Sequence, residues 1–326
     1  MMRRWVSIVL CLAGLLSEAT GCATAEHKKR EAFFGPTESV LEVIAVLRRH
    51  VPDDTYRFPP AADFTGRNVY RATLLRLENI EELQSDALRT GYMDTVMAFA
   101  KARALERLRA YDLAAEHYGA VLDDPLLGPS ALQGFEVCAG IDEAIAVGID
   151  LADPVDPDGN AAAPYPLDPE GVVAELDQRI LLLTELAEST RNTHYVHVVR
   201  EEVERADVTR ARYFSAIRPV VTDGALRAVS EQQRVMMRHG ASKNRRKHML
   251  ELADLCAELA QEYVASSPPE SLRFDPPHFQ DLVDGATRIY ESVATQDGTP
   301  EKLEAARRLE AFLAFTLQVD RGRFGR

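Results

Sequence analysis

The sequence lacks the local motifs of the common metal and catalytic sites. It has four cysteines and no Cys-x-x-Cys pair, which excludes a thiolate zinc site or a dithiol redox centre of that type. It also has no Gly-x-Ser-x-Gly, Ser-x-x-Lys or His-Glu-x-x-His pattern, so no hydrolase class is indicated by a motif. We therefore expect no cofactor and no enzyme.

Basic charge is scarce, and so are strand patterns. The chain carries 38 Lys and Arg against 51 Asp and Glu, for a net charge of −13. Because nucleic-acid binding needs a basic surface, this balance argues against a nucleic-acid partner. No segment alternates apolar and polar residues in the way a half-buried strand does. These absences leave a protein built from helices.

The N-terminal residues have the three parts of a secretory signal peptide. Arg3 and Arg4 form a basic region, residues 6–16 form an apolar region, and small residues follow. The apolar region is too short to cross roughly 30 Å of hydrocarbon as a helix. We therefore predict export from the cytoplasm.

Residues 19–22, Ala-Thr-Gly-Cys, resemble a bacterial lipobox, in which small residues precede a lipidated cysteine. The resemblance implies a signal peptide over residues 1–21, lipidation of Cys22, and a tether over residues 22–36. It also implies a membrane partner through the lipid anchor and a periplasm-facing location in the cell envelope. Since Ala23 is not the Asp that retains lipoproteins in the inner membrane, the outer membrane is favoured in a Gram-negative source.

A second cleavage site competes with the lipobox. Residues 23–25, Ala-Thr-Ala, satisfy the small-x-small rule of the ordinary signal peptidase. Cleavage there would release a soluble periplasmic or secreted protein that begins at Glu26. The sequence leaves both outcomes open.

Helical periodicity dominates the rest of the chain and predicts an all-α fold of antiparallel helical hairpins. We expect an N-terminal helical region over residues 37–151 and a C-terminal helical region over residues 169–326. Between them, residues 152–168 are acidic and rich in proline, and form a linker or a long surface loop. The longest helix is predicted over residues 242–264, and the last helix is predicted to end near Leu317.

Residues 98–125 resemble one tetratricopeptide repeat, with small Ala102 and Ala114 at helix contacts and Tyr118 facing the next unit. The resemblance implies a tetratricopeptide-like α-solenoid whose concave face binds a peptide or another protein. Because one repeat cannot bury its own apolar face, an irregular helical bundle is the alternative.

One histidine-containing helix offers a weak metal candidate. The spacing of His194, His197 and Glu201 places them on roughly one face of a helix. Such a face could present two imidazoles and a carboxylate to a metal ion. An exposed face with an i,i+4 His–Glu pair explains the same spacing. The neighbouring acids Glu201 and Glu202 are predicted to be ordinary exposed helix positions.

One dense basic cluster stands out in the acidic chain; it comprises Arg238, His239, Lys243, Arg245, Arg246, Lys247 and His248. Its charges surround a helix start, where they oppose the helix dipole. We interpret Arg238, Lys243, Arg245, Arg246 and Lys247 as a patch for an anionic partner. Pairing with acidic neighbours such as Glu251 and Asp254 is the structural alternative.

The two cysteines of the predicted body, Cys138 and Cys256, fall on apolar helix faces. They are either two buried thiols or a disulfide.

Taken together, these patterns predict a membrane-anchored envelope lipoprotein that acts as a protein–protein interaction adaptor. Its partner would be another envelope protein or a peptide. A periplasmic ligand-binding or transporter-associated component is the alternative, and an envelope hydrolase is the third possibility.

Overall fold

The computed structural model describes residues 39–44, 69–83, 93–149 and 168–324, and within these ranges the protein is all-α, with no strand. Residues 39–44 are helical, and ten further helices follow. They are α1 (Val69–Leu83), α2 (Asp94–Arg107), α3 (Tyr111–Gly119), α4 (Gly128–Ile145), α5 (Pro169–Ser189), α6 (Tyr195–Ile217), α7 (Gly224–Arg238), α8 (Arg245–Ser266), α9 (Pro276–Ala294) and α10 (Pro300–Phe324). The signal peptide, Cys22 and the tether lie outside the described residues.

The helices pack in chain order. From α1 to α10 each helix contacts the next, and further contacts join α4 to α6 and α8 to α10. Short turns between most neighbours produce this arrangement, since a short connection brings the next helix back along the last one. The predicted all-α fold is confirmed, and the packing fits either a solenoid or a bundle. No helix in the described ranges is both long and apolar enough to cross a bilayer.

Helix boundaries follow local chemistry. Asp168 caps α5 as its sequence suggests, because its carboxylate accepts a hydrogen bond of 3.1 Å from the backbone N–H of Gly171. Two predicted bounds are wrong. Helix α8 begins at Arg245 because Ser242 belongs to the preceding turn, where its hydroxyl accepts the Asn244 N–H. Helix α10 continues to Phe324 and is the longest described helix.

A single apolar core joins the helices before and after residues 152–168. It contains Ile141 and Ala144 of α4 together with Ile180 and Leu183 of α5, and it extends to α2, α3 and α6. Residues 152–167 lie outside the described residues. The two helical regions predicted from the sequence therefore share buried surface whatever path that connection takes.

The three positions singled out by the repeat resemblance are all buried. Ala102, Ala114 and Tyr118 have no exposed surface, and the Tyr118 ring reaches α4. A Cβ atom at Gly134 of α4 would lie 2.6 Å from that ring and 2.7 Å from the hydroxyl of Tyr195. A glycine at position 134 is thus what allows α3, α4 and α6 to approach so closely.

We expect Gly134→Ala to lower the free energy of unfolding by about 1–3 kcal/mol, because the methyl group overlaps a ring that has no room to move. Gly285→Ala in α9 is the matched control. Its Cβ would meet only the Cys256 sulfur at 3.8 Å, so it should be neutral or stabilise by up to about 1 kcal/mol. Urea unfolding of both variants measures the difference, and equal stabilities would contradict this packing.

Candidate functional site

Helix α6 places four carboxylates in the middle of the array. Three are buried and one is half-buried; they are Glu202, Glu204, Asp207 and Glu201. An ionised carboxylate removed from water is stable only when it is paired and hydrogen-bonded. The partners come from α2, α3 and their connecting turn on one side of α6, and from α7, α8 and their connecting turn on the other.

Glu202 joins α6 to the α2–α3 turn. Its side chain is 2 % exposed and accepts two hydrogen bonds from the Arg109 guanidinium, of 2.9 and 3.0 Å, and one of 2.8 Å from the Tyr111 hydroxyl. Arg109 has a φ of 66°, a left-handed conformation that a non-glycine residue adopts at an energetic cost. The turn therefore holds Arg109 in a strained conformation in which it binds Glu202 in a bidentate pair.

Glu204 joins α6 to the start of α8. Its carboxylate accepts a hydrogen bond of 2.7 Å from the Ser242 hydroxyl and lies 2.5 Å from Nε2 of buried His248. Burial alone would raise the pKa of Glu204, but the bonds from His248 and Ser242 outweigh burial and lower it. Burial would lower the pKa of His248, whereas Glu204 and the nearby Glu251 raise it. Both pKa shifts therefore favour the charged pair, carboxylate and imidazolium, over the neutral pair.

Asp207 joins α6 to the end of α7. It has no exposed surface, and its oxygens contact Arg234 at 2.7 Å, Arg238 at 3.1 Å and Nε2 of His239 at 2.7 Å. Burial would raise its pKa, but the His239 bond and the two guanidinium groups lower it overall. Three basic side chains are consequently fixed around one acid at the C-terminal end of α7.

These contacts frame a cleft of about 670 Å³ between α5, α6 and the α7–α8 turn. Its lining comprises Thr184, Ala187, Glu188, His197, Arg200, Glu201, Val203, Glu204, Arg238, His239, Ala241, Ser242 and Lys243. The volume falls within the range of small-molecule sites, which is roughly 300–1,000 Å³. The cleft brings His197 and Glu201 of the metal candidate together with Arg238 and Lys243 of the basic cluster. In the sequence these two groups are separate, at residues 194–201 and 238–248.

The third member of the metal candidate lies elsewhere. His194 contacts Arg103, and its Nε2 lies 3.9 Å from the buried Glu106 carboxylate. Burial and the Arg103 charge lower the pKa of His194 to about 3. Glu201 instead accepts a hydrogen bond of 2.8 Å from Lys243. In the part of the chain that the structure describes, no three His, Cys, Asp or Glu side chains are placed to hold a metal.

The basic cluster divides into three groups. Arg238 and Lys243 line the cleft and pair with Asp207 and Glu201 of α6. Arg246 donates a hydrogen bond of 2.6 Å to Gln296. Arg245 and Lys247 are exposed on α8 and have no ion-pair partner among the described residues. The anionic-partner patch stays a prediction, and Arg245 and Lys247 are the two of its five residues that the described part of the chain leaves without a partner.

Both body cysteines are free thiols in the structure. Cys138 is buried in the core shared by α2 to α6, and Cys256 is partly buried against α9. Burial raises the pKa of both thiols, so neither has the character of a reactive thiolate.

Sequence reasoning missed the role of the α6 acids, and the expectation that Glu202 is an exposed position is wrong. One signal was present. Acids at positions 201, 204 and 207 recur every third residue, which places them along one side of a helix, and Glu202 points to another side. Arg205 lies 3.4 Å from Glu202 within α6, but every other basic partner lies at least 27 residues away along the chain, so local spacing does not reveal it.

Neither a protein-family model, nor a curated protein, nor a solved structure matches the chain.

Proposed function

We propose that the protein is an envelope lipoprotein that is anchored by Cys22 and acts as a helical adaptor for another envelope protein or a peptide. The signal-like N-terminal sequence supports export and anchoring. The packing of the helices in chain order supports an adaptor, because such an array gives extended outer faces for contact. Anchoring would raise the local concentration of a bound partner at the membrane surface.

Large apolar side chains on the outer faces of the array are the observation that carries the adaptor role. Leu132 and Phe135 are exposed on α4, Leu226 is exposed on α7, and Leu303 and Leu317 are exposed on α10. Isolated exposed leucines are common on soluble proteins. Their recurrence on α4, α7 and α10 is what favours contact with a second protein.

Acyl labelling combined with photo-cross-linking, in cells that produce the protein, tests this proposal. We expect the wild-type chain to incorporate a labelled fatty acid and Cys22→Ala to lose the label, because Cys22 is the lipidated residue. A photo-reactive residue placed in turn at Leu132, Leu226 and Leu317 should give one discrete protein adduct on one face.

The control for acylation is Cys256→Ala, which should keep the label. Label that persists in Cys22→Ala overturns the anchor, whatever the cross-links show. Adducts that are absent, or equally diffuse, at every exposed position overturn the adaptor role, whatever the label shows.

The cleft beside α6 favours a second candidate function, a ligand-binding component of the envelope. Its volume is that of a small-molecule site, and its lining combines several charged side chains with the apolar Ala187 and Val203. Mass spectrometry of the intact protein purified under non-denaturing conditions tests this candidate. A reproducible additional mass that leaves on unfolding supports it, and bare protein at all concentrations contradicts it.

A further inference from the structure

We infer that the cleft beside α6 binds a small zwitterion with an apolar body, of the kind represented by an α-amino acid or a short peptide. This inference deepens the second candidate function and rests on it. It does not depend on the lipid anchor or on the adaptor role.

The balance of charge in the cleft limits what it can bind. The cleft lining contains three cations, Arg200, Arg238 and Lys243, and three carboxylates. The formal charges of these groups cancel, in a protein whose net charge is −13. A dianion such as phosphate would lack a compensating charge here, whereas a ligand carrying one positive and one negative group leaves the balance unchanged.

Several charged groups of the cleft lining are already paired within the protein. Glu204 is bound by Ser242 and His248, and Glu201 is bound by Lys243. These groups form the walls of the cleft and have little capacity left for a ligand. They hold the walls in place, which is the rigidity that a preformed binding site needs.

Two guanidinium groups have donors available. Arg200 is exposed at the cleft and has no hydrogen bond or ion pair among the described residues. Arg238 contacts Asp207 through Nη1 alone, so its Nε and Nη2 donors are free of protein acceptors in the described part of the chain. A guanidinium group is well suited to a carboxylate, since its donors match the two oxygens.

One carboxylate is available for the ligand's positive group. Glu188 is 69 % exposed at the cleft, and its nearest cation, Arg191, is 4.0 Å away. An exposed pair at that distance contributes little and is easily exchanged. An ammonium group of the ligand can therefore take the place of Arg191.

The floor of the cleft supplies the apolar contact. Ala187 and Val203 are buried side chains on α5 and α6, and Ala241 lies on the α7–α8 turn. Their methyl groups offer a surface for the body of an aliphatic side chain, which gains by leaving water. The cleft thus combines the hydrogen-bond donors of two guanidinium groups, the carboxylate of Glu188 and an apolar floor.

Calorimetric titration of the purified full-length chain tests the assignment with a matched set of probes. The probes are L-leucine, N-acetyl-L-leucine without the ammonium group, and L-leucinamide without the carboxylate. Alanine, valine, phenylalanine and the dipeptide Ala-Leu accompany them, and inorganic phosphate represents a simple anion. We expect a zwitterion to bind, and each leucine analogue that lacks one charge to bind about tenfold more weakly.

Charge-removing variants connect the binding to the cleft. Arg200→Gln should weaken binding of the zwitterion about tenfold, whereas Arg227→Gln, an exposed arginine near the start of α7, should leave it unchanged. Glu188→Gln should weaken it in the same way, with Glu185→Gln of α5 as its control. A difference between leucine and Ala-Leu distinguishes a free amino acid from a peptide terminus.

The outcomes separate the two levels of the proposal. If no zwitterion binds below about 10 mM, the inference is overturned, and the ligand-binding function survives only if the protein retains another molecule on purification. Tighter binding of phosphate than of any zwitterion also overturns it. Equal effects of Arg200→Gln and Arg227→Gln would place the bound zwitterion outside the cleft.

Discussion

Replacing Glu202 by alanine is expected to lower the free energy of unfolding by about 3–5 kcal/mol, the range for breaking a buried ion pair. The change leaves the Arg109 guanidinium and the Tyr111 hydroxyl without their shared acceptor. It also removes a contact between α6 and the α2–α3 turn. Chemical unfolding in urea or guanidinium measures the loss, and Glu136→Ala, at an exposed position on α4, is the control and should change stability by less than about 0.5 kcal/mol.

The strained backbone of Arg109 gives this prediction a second, independent readout. Arg109→Ala and Arg109→Gly both remove the guanidinium group, but only glycine adopts a φ of 66° without strain. Arg109→Gly should therefore be the more stable of the two by about 1–2 kcal/mol, while both remain less stable than the wild type. A glycine variant as stable as the wild type would show that the Glu202 pair contributes no more than the relief of backbone strain, about 1–2 kcal/mol, which contradicts the expected loss of about 3–5 kcal/mol.

Much of the fold could be predicted from the sequence because apolar spacing is local information. The stripes of α5, α7 and α9 have a helical period, and their ends carry residues with clear preferences, such as Asp168 before Pro169. Where a tertiary contact decides at which residue a helix begins, local sequence does not predict that residue. Ser242 is bound to Glu204, so it lies in a turn, although its sequence context resembles the start of α8.

The candidate site was predictable only in parts. The basic cluster and the histidine-containing helix were recognised from local composition. Their meeting in one cleft depends on how α6 packs against α7, and no local pattern records that geometry. Glu202 illustrates the difficulty, because a glutamate next to another glutamate on a helix is usually solvated. Its burial follows from Arg109, which lies 93 residues earlier in the chain.

Replacing His248 by leucine is expected to lower the free energy of unfolding by about 3 kcal/mol or more at pH 6. In the wild type the imidazolium lies between two carboxylates, with Nε2 2.5 Å from Glu204 and Nδ1 3.9 Å from Glu251. Leucine removes the positive charge, so the carboxylates of Glu204 and Glu251 lose the cation that they share. His278→Leu, at an exposed position in the first turn of α9, is the control and should have a small effect.

The pH dependence of the same pair distinguishes charge from packing. The raised pKa of His248 gives stability that is complete below its ordinary pKa of 6.5 and is lost as the pH rises through its folded-state pKa. The lowered pKa values of Glu204 and Glu251 give stability that is complete above 4.5 and is lost as the pH falls through their folded-state values. The contribution of this network is thus greatest between 4.5 and 6.5.

Urea unfolding at a series of pH values, for the wild type and for His248→Leu, measures that contribution as a difference. We expect the difference to be largest in the acidic window and to shrink above neutral pH, because the wild-type imidazolium is then lost as well. His248→Gln preserves a hydrogen-bond donor toward Glu204 without a charge, so its loss relative to the wild type should be smaller than that of His248→Leu and should also shrink above neutral pH. A loss in His248→Leu that is the same at every pH would mean that His248 stabilises the protein by filling space between α6 and α8, and that its charge is irrelevant.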